Sequence, residues 1–227
     1  MSRTPLRGRI VGGLIVATIL LLIGLGVWQL QRRTWKLALI AQTERQLHAA
    51  PVAAPAPSIP VSTADVYKPV TATGRYRTGA DTYVQAVTAF GGGFWVVTPF
   101  DTDRSFTVLV NRGFVPAELR GKVDPSSARQ TVRGLLRLTE PGGGFLRSND
   151  PAADRWYSRD VAAIAGTKQL GRTAPYFIDA SGPTTGWPRG GLTVVRFHNS
   201  HLVYAFTWFG LAALLAIMAW RVRRSRD

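Results

Sequence analysis

Two stretches of this 227-residue chain carry no charged side chain over about the thickness of a bilayer. Residues 10–31 lie between Arg9 and Arg32, and residues 197–220 between Arg196 and Arg221. A helix needs roughly 20 predominantly apolar residues to cross the hydrocarbon core, and both runs reach that length. Each carries a tryptophan near one end, Trp28 and Trp220, where amphipathic rings prefer the membrane interface. The fold class expected is therefore an α+β membrane protein. Two transmembrane helices flank a β-rich, antiparallel, barrel-like extra-cytoplasmic domain.

A cleaved signal peptide is a poor fit to the first run. Its apolar part is too long, and it leads into WQLQRRTWK with no small-residue cleavage site. Two retained spans place both termini on one side. The basic tail Arg221, Arg223, Arg224 and Arg226 favours the cytoplasmic side for them. The formal charge is +15, with 28 Lys and Arg against 13 Asp and Glu. Each tail holds three net positive charges, and the larger remainder sits on the part between the spans. That distribution suits a surface apposed to anionic lipid, and nucleic acid is not expected as a partner. The chain has no cysteine, which excludes disulfides, thiol nucleophiles and cysteine-held metal or iron–sulfur sites.

The organisation reads as a tail (1–9), the first span (10–31), a helical extension (32–50) and a Pro/Ala linker, PVAAPAPSIP (51–60). A β-rich domain (61–197), the second span (198–220) and a tail (221–227) follow. Within the domain YKPVTATGRY, TYVQAVTAF, FWVVTPF, FTVLVNRGFVP, TVRGLLRLTE, YFIDA and LTVVRF have β-prone composition between Gly, Pro and Asp breaks. SRDVAAIAG is expected as a short helix with Ser158 as its N-cap.

No motif indicates an enzyme. GxSxG is absent, histidines do not pair at metal spacing within the domain, and acidic residues are few. Asp101 and Asp103 in DTDRS suit a hairpin turn. The GGG runs at 91–93 and 142–144 lack a dinucleotide-site context and read as flexible turns. Arg112 in VNRGFVP suits an anion, and a strand-ending turn at Gly113 explains the same residues. His48 reads as a solvated surface histidine.

The entrance to the second span, FHNSHLVYAFTW, has two readings. In one, His198, Asn199 and Ser200 cap the helix and the aromatics anchor it. In the other, His201, Tyr204 and Trp208 form a stripe about two turns long that holds a ligand. A helix N-terminus disfavours protonated histidine, and neutral imidazole is the metal-ligating form. A planar apolar macrocycle bearing carboxylates suits such a stripe. Antiparallel spans would bring Trp28, Arg32 and Lys36 to the same membrane face, where snorkelling of the cations is the plain alternative.

LGVWQLQRRTWKLALI, VNRGFVP, GLLRLTE, NDPAADRWYSRDVAAIA and NSHLVYAFTWFGLA together resemble the surfeit locus protein 1 family, in family order over most of the chain. The resemblance implies an assembly factor for haem-containing cytochrome c oxidase, in the bacterial inner membrane with cytoplasmic termini and a periplasmic domain. It implies haem a as transient cargo, with His201 as the axial ligand to iron and Trp208 in the same site; Tyr204, Arg32 and Trp28 complete the candidate set. His198 stands where the family pattern has no histidine. Expected partners are the oxidase catalytic subunit, the lipid bilayer and, secondarily, haem a synthase; self-association stays open. Two other functions are kept beside this one, a non-haem scaffold for oxidase subunits and a two-span periplasmic ligand-sensing module.

Overall fold

The computed structural model describes residues 6–123, 125–144, 146–183, 185–192 and 199–225. It divides into two compact units, residues 1–42 with 196–227, and residues 43–195. The expected strand LTVVRF falls on residues outside the described set, apart from Leu192, and so does His198.

The first unit is a pair of helices, α1 (Leu6–Leu47), whose last residues belong to the second unit, and a later helix ending the chain, His201–Arg224. Both are long and apolar enough to cross a membrane. The span and extension expected at 10–31 and 32–50 form one uninterrupted helix, since no Pro breaks residues 6–47. Half-buried or buried positions on it recur at alternating steps of three and four: Gly12, Ile15, Ile19, Leu22, Gly26 and Gln29. The later helix answers with His201, Ala205, Trp208, Ala212, Leu215 and Ala219. This 3.5-residue period is the seam of two helices packed in left-handed fashion. Most side chains off the seam are exposed and apolar, including Leu20, Leu21, Val203 and Phe206.

The second unit is built on a barrel. Its elements are β1 (Val52–Ala53), β2 (Pro69–Tyr76), β3 (Thr82–Thr88), β4 (Gly91–Thr102), β5 (Thr107–Pro116), β6 (Gln130–Leu138), β7 (Gly143–Gly144), β8 (Arg147–Ser148), α2 (Val161–Thr167) and β9 (Thr173–Ala180). The helix His201–Arg224 is then α3. The large sheet has the order β1-β2-β6-β9-β5-β4-β3, and a further pairing of β2 with β4 (Gly74↔Thr102 to Tyr76↔Phe100) closes it on itself. Five strands thus form a barrel, antiparallel except at β5–β9, with β3 outside as a hairpin on β4. Gly74 sits at the closure because a Cβ there would strike the backbone of Asp101 and Thr102.

Strand alternation sorts side chains to two cores. Val70, Ala72, Phe100, Val108, Val110, Val132, Leu136, Tyr176 and Ile178 fill the inside. Val97, Leu109 and Phe177 face outward, under Trp156 and the Val161 and Ile164 face of α2. The α2 N-cap is Asp160, whose carboxylate accepts from Ala163 N–H, and not Ser158 as expected. Ser158 is buried and donates instead to the Glu140 carbonyl at 2.6 Å.

Two further expectations are corrected. The Pro/Ala segment is extended but docked: Val52 and Ala53 pair in parallel with Val70 and Thr71, and Ala54 is buried. Pro residues that cannot donate leave this edge strand short. Gly91–Gly93 is not a flexible turn but the paired start of β4, where Gly93 has no room for a Cβ beside Val115 and Phe114.

Tyr176 donates to the Pro55 carbonyl at 2.6 Å, pinning that segment over the barrel mouth. Burial raises its hydroxyl pKa, and burial pushes Tyr76 up to about 12. Raised tyrosines favour the fold fully below their unfolded value of 10.0 and lose that contribution as pH climbs through the folded value. Each is expected to steepen alkaline destabilisation by about 1.4 kcal/mol per pH unit above pH ~10. Denaturant titrations between pH 9 and about 12 check this; the Tyr76→Phe/Tyr176→Phe variant should lose most of the slope.

Candidate functional site

α1 and α3 run antiparallel along their seam. Gly26 is buried against the Phe209 ring, and a Cβ there would overlap the ring atoms. One turn further along α1, Gln29 meets the start of α3. The His201 imidazole lies in the half-buried seam with Nδ1 2.7 Å from Gln29 Oε1. An amide oxygen accepts, so Nδ1 carries the proton and donates to it. The other ring nitrogen, Nε2, has no partner among the described residues, and in a neutral ring it is the atom that ligates metal. A second partner holding a histidine in its tautomer and orientation is the usual arrangement behind a metal-ligating ring.

Asn199 Oδ1 accepts from the His201 backbone N–H at 3.4 Å, and Ser200 makes no side-chain cap bond. The Asn199 contact and the Gln29–His201 contact therefore coexist at the same turn.

The expected site residues separate into two groups. His201 and Trp208 share the seam, seven residues or two turns apart. Tyr204, Trp28 and Arg32 are exposed on the flanks. Arg32 stacks its guanidinium 4.0 Å over Trp35. The cations in register with Gln29 on α1 are Arg33 and Lys36, both half-buried. Gln29 was missed by sequence reasoning, although it sits three residues after Gly26 on the 3-and-4 spacing, a polar amide inside an apolar run.

Within the barrel unit the motifs VNRGFVP, GLLRLTE and NDPAADRWYSRD meet at one point. Asp179, on β9, is 5% exposed and accepts from Asn111 Nδ2 at 2.8 Å, Arg137 at 3.0 Å and Arg159 at 3.3 Å. Arg159 also forks onto Glu140 at 2.6 and 3.0 Å and lies over the Phe177 ring. Asn149 Oδ1 accepts from Tyr157 and Ser158 N–H, shaping the loop that delivers Arg159. The cluster clamps a loop to the barrel wall. No group of three or more metal-ligating side chains occurs among the described residues.

Comparison with known proteins supplies the remaining context. The family model described as the SURF1 family matches residues 16–213. Surfeit locus protein 1 of Rattus norvegicus is 38% identical over 89% of this chain and 72% of its own length. The human protein of the same name is 38% identical over 84% and 70%. A SURF1-like protein of Monosiga brevicollis is 34% identical over 88% and 83%.

Proposed function

Because the chain belongs to the SURF1 family, we propose that it serves in the assembly of cytochrome c oxidase and binds haem a as cargo at the membrane edge of the α1–α3 pair. The observation that carries this reading is the Gln29–His201 contact, which engages Nδ1 and leaves Nε2 without a partner among the described residues at a half-buried position. His201 supplies the axial nitrogen and Trp208 an apolar ring on the same seam. Haem iron bound this way takes one protein ligand from α3. A single axial histidine holds haem less firmly than two, which suits a carrier that must release it.

Both helices cross the bacterial inner membrane in this reading, with the basic ends at Arg9 and Arg221–Arg224 on the cytoplasmic side and the barrel in the periplasm. The oxidase catalytic subunit is the recipient. The chain performs no bond chemistry on haem; its task is to hold it, exclude water and give it up.

The test is the haem a content of oxidase purified from cells lacking this chain and complemented with wild type, His201→Ala or the exposed-site control His48→Ala. His201→Ala is expected to leave haem a in the oxidase near the level of the uncomplemented strain, with His48→Ala at wild-type level. Full restoration by His201→Ala contradicts a haem role and favours the scaffold function.

The seam predicts a separate effect. Gly26→Leu places a side chain where the Phe209 ring lies and is expected to force the two helices apart. Its check is haem a retention on purified protein, which should fall together with His201→Ala, whereas Gly13→Leu, at a glycine with open space, should retain it.

A further inference from the structure

The β3–β4 hairpin carries no charged residue from Thr82 to Phe100, in a chain where nearly one residue in five is charged. Its tip is nevertheless exposed: Val87 is 86% and Phe90 42% accessible. An uncharged, apolar hairpin at a sheet edge is normally covered by something. Phe90 does not stand alone. Its ring is edge-on to Trp187 at 6.0 Å, and the Arg189 guanidinium lies 4.4 Å over Phe90 and 4.9 Å over Trp187. Arg189 Nε is buried there without a hydrogen-bond partner among the described residues. Aromatic rings with stacked arginine and no carboxylate form the composition of a bilayer interface.

Trp187 is also one wall of a cavity of about 550 Å³ at this end of the barrel, whose polar lining includes Tyr76, Arg112, Gln130 and Arg133 and, among the described residues, no acidic one. Arg112 spends Nη1 on Asp81 and the Val123 carbonyl, at 3.5 and 2.8 Å, and its Nε and Nη2 have no hydrogen-bond partner among the described residues. The Arg133 side chain, exposed, has no ion pair or hydrogen bond among the described residues. Asp81 offsets the charge of Arg112, whereas Arg133 has no acidic partner among the described residues.

We propose that this end of the barrel binds an anionic phospholipid headgroup, its phosphodiester in the cavity against Arg112 and Arg133 and its apolar part beside Phe90 and Trp187. The proposal rests on the membrane anchoring described above and not on haem. A lipid is favoured over a free anion because the cavity opens beside exposed aromatics, which a small soluble ion would leave uncovered.

The full chain, reconstituted in nanodiscs, tests this directly. Because it has no native cysteine, Ser126→Cys at the cavity takes a single environment-sensitive fluorophore. Discs of phosphatidylcholine alone are compared with discs carrying graded phosphatidylglycerol. A blue shift that grows with phosphatidylglycerol is expected, and Arg133→Gln should raise the half-maximal fraction about five-fold. Equal spectra in both lipids, or a shift indifferent to Arg133→Gln, overturns the site. The same shift produced by inorganic phosphate over phosphatidylcholine discs overturns the lipid assignment in favour of a soluble anion. Co-elution of the chain with the discs is read separately, so that failure of the anchors is told apart from failure of the cavity, and haem a binding by the same sample reports on the carrier function independently.

Discussion

Replacing Asp179 with leucine is expected to destabilise the barrel by about 3–5 kcal/mol, the cost of stranding buried charge when one partner of an ion pair is removed. Arg159 is only 14% exposed and Arg137 20%, so neither guanidinium can turn fully to water when the carboxylate goes. Asn111, buried at the same point, loses its acceptor as well. Glu140 still pairs with Arg159, which keeps the loss toward the lower end of that range. The comparison is Asp150→Asn, which breaks an exposed pair with Arg155 and is expected to change little. Denaturant unfolding of the purified chain, followed through the buried Trp156, distinguishes the two. A loss of under about 1 kcal/mol for Asp179→Leu would mean that the cluster is not a clamp.

In the helix pair the large effect belongs to Gln29. Gln29→Leu keeps volume and apolar character but removes the acceptor that orients His201, and loss of such a partner typically costs about 10–100-fold in metal affinity. Gln29→Glu retains an oxygen at the same reach and should recover binding. That rescue separates orientation of the ring from mere packing, because both replacements fit the space. Titration of haem a into detergent-purified variants provides the measurement. Equal affinity for Gln29→Leu and wild type contradicts the assigned tautomer.

Much of the barrel was legible because its strands are short, β-prone and bounded by Gly, Pro or Asp. YKPVTATGRY, TYVQAVTAF, FWVVTPF, FTVLVNRGFVP, TVRGLLRLTE and YFIDA all fall on β2–β6 and β9. A barrel-like domain was expected from strand number and spacing, but the pair that closes it was not, since β2 meets β4 through a backbone approach at Gly74 that no local pattern encodes. The Asp179 cluster was hidden for a related reason. Its partners stand 68, 42 and 20 residues away, in three separate segments that no local pattern joins. The docked Pro/Ala segment shows the opposite error: composition gave an extended chain, and packing decided that it joins the sheet.

At the helix pair, aromatic and charged residues drew attention to Trp28, Arg32 and Tyr204, all of which the structure leaves on exposed flanks. Their residue types signal a membrane interface as readily as a ligand. The alternation of three and four steps through Gly12, Ile15, Ile19, Leu22 and Gly26 continues to Gln29 on the half-buried face, and this spacing was available in the sequence. His201 and Trp208 lie on the same spacing in α3. Periodicity located the buried face more reliably than chemistry did, because packing, unlike side-chain type, must repeat with the helix.

The most direct measurement is the absorption spectrum of the detergent-purified chain, co-expressed with the enzymes that make haem a, for wild type, His201→Ala and His198→Ala. Binding as proposed gives a haem a spectrum in wild type and His198→Ala that is absent from His201→Ala, with all three samples unfolding alike. Haem a retained by His201→Ala, or absent from wild type, contradicts it.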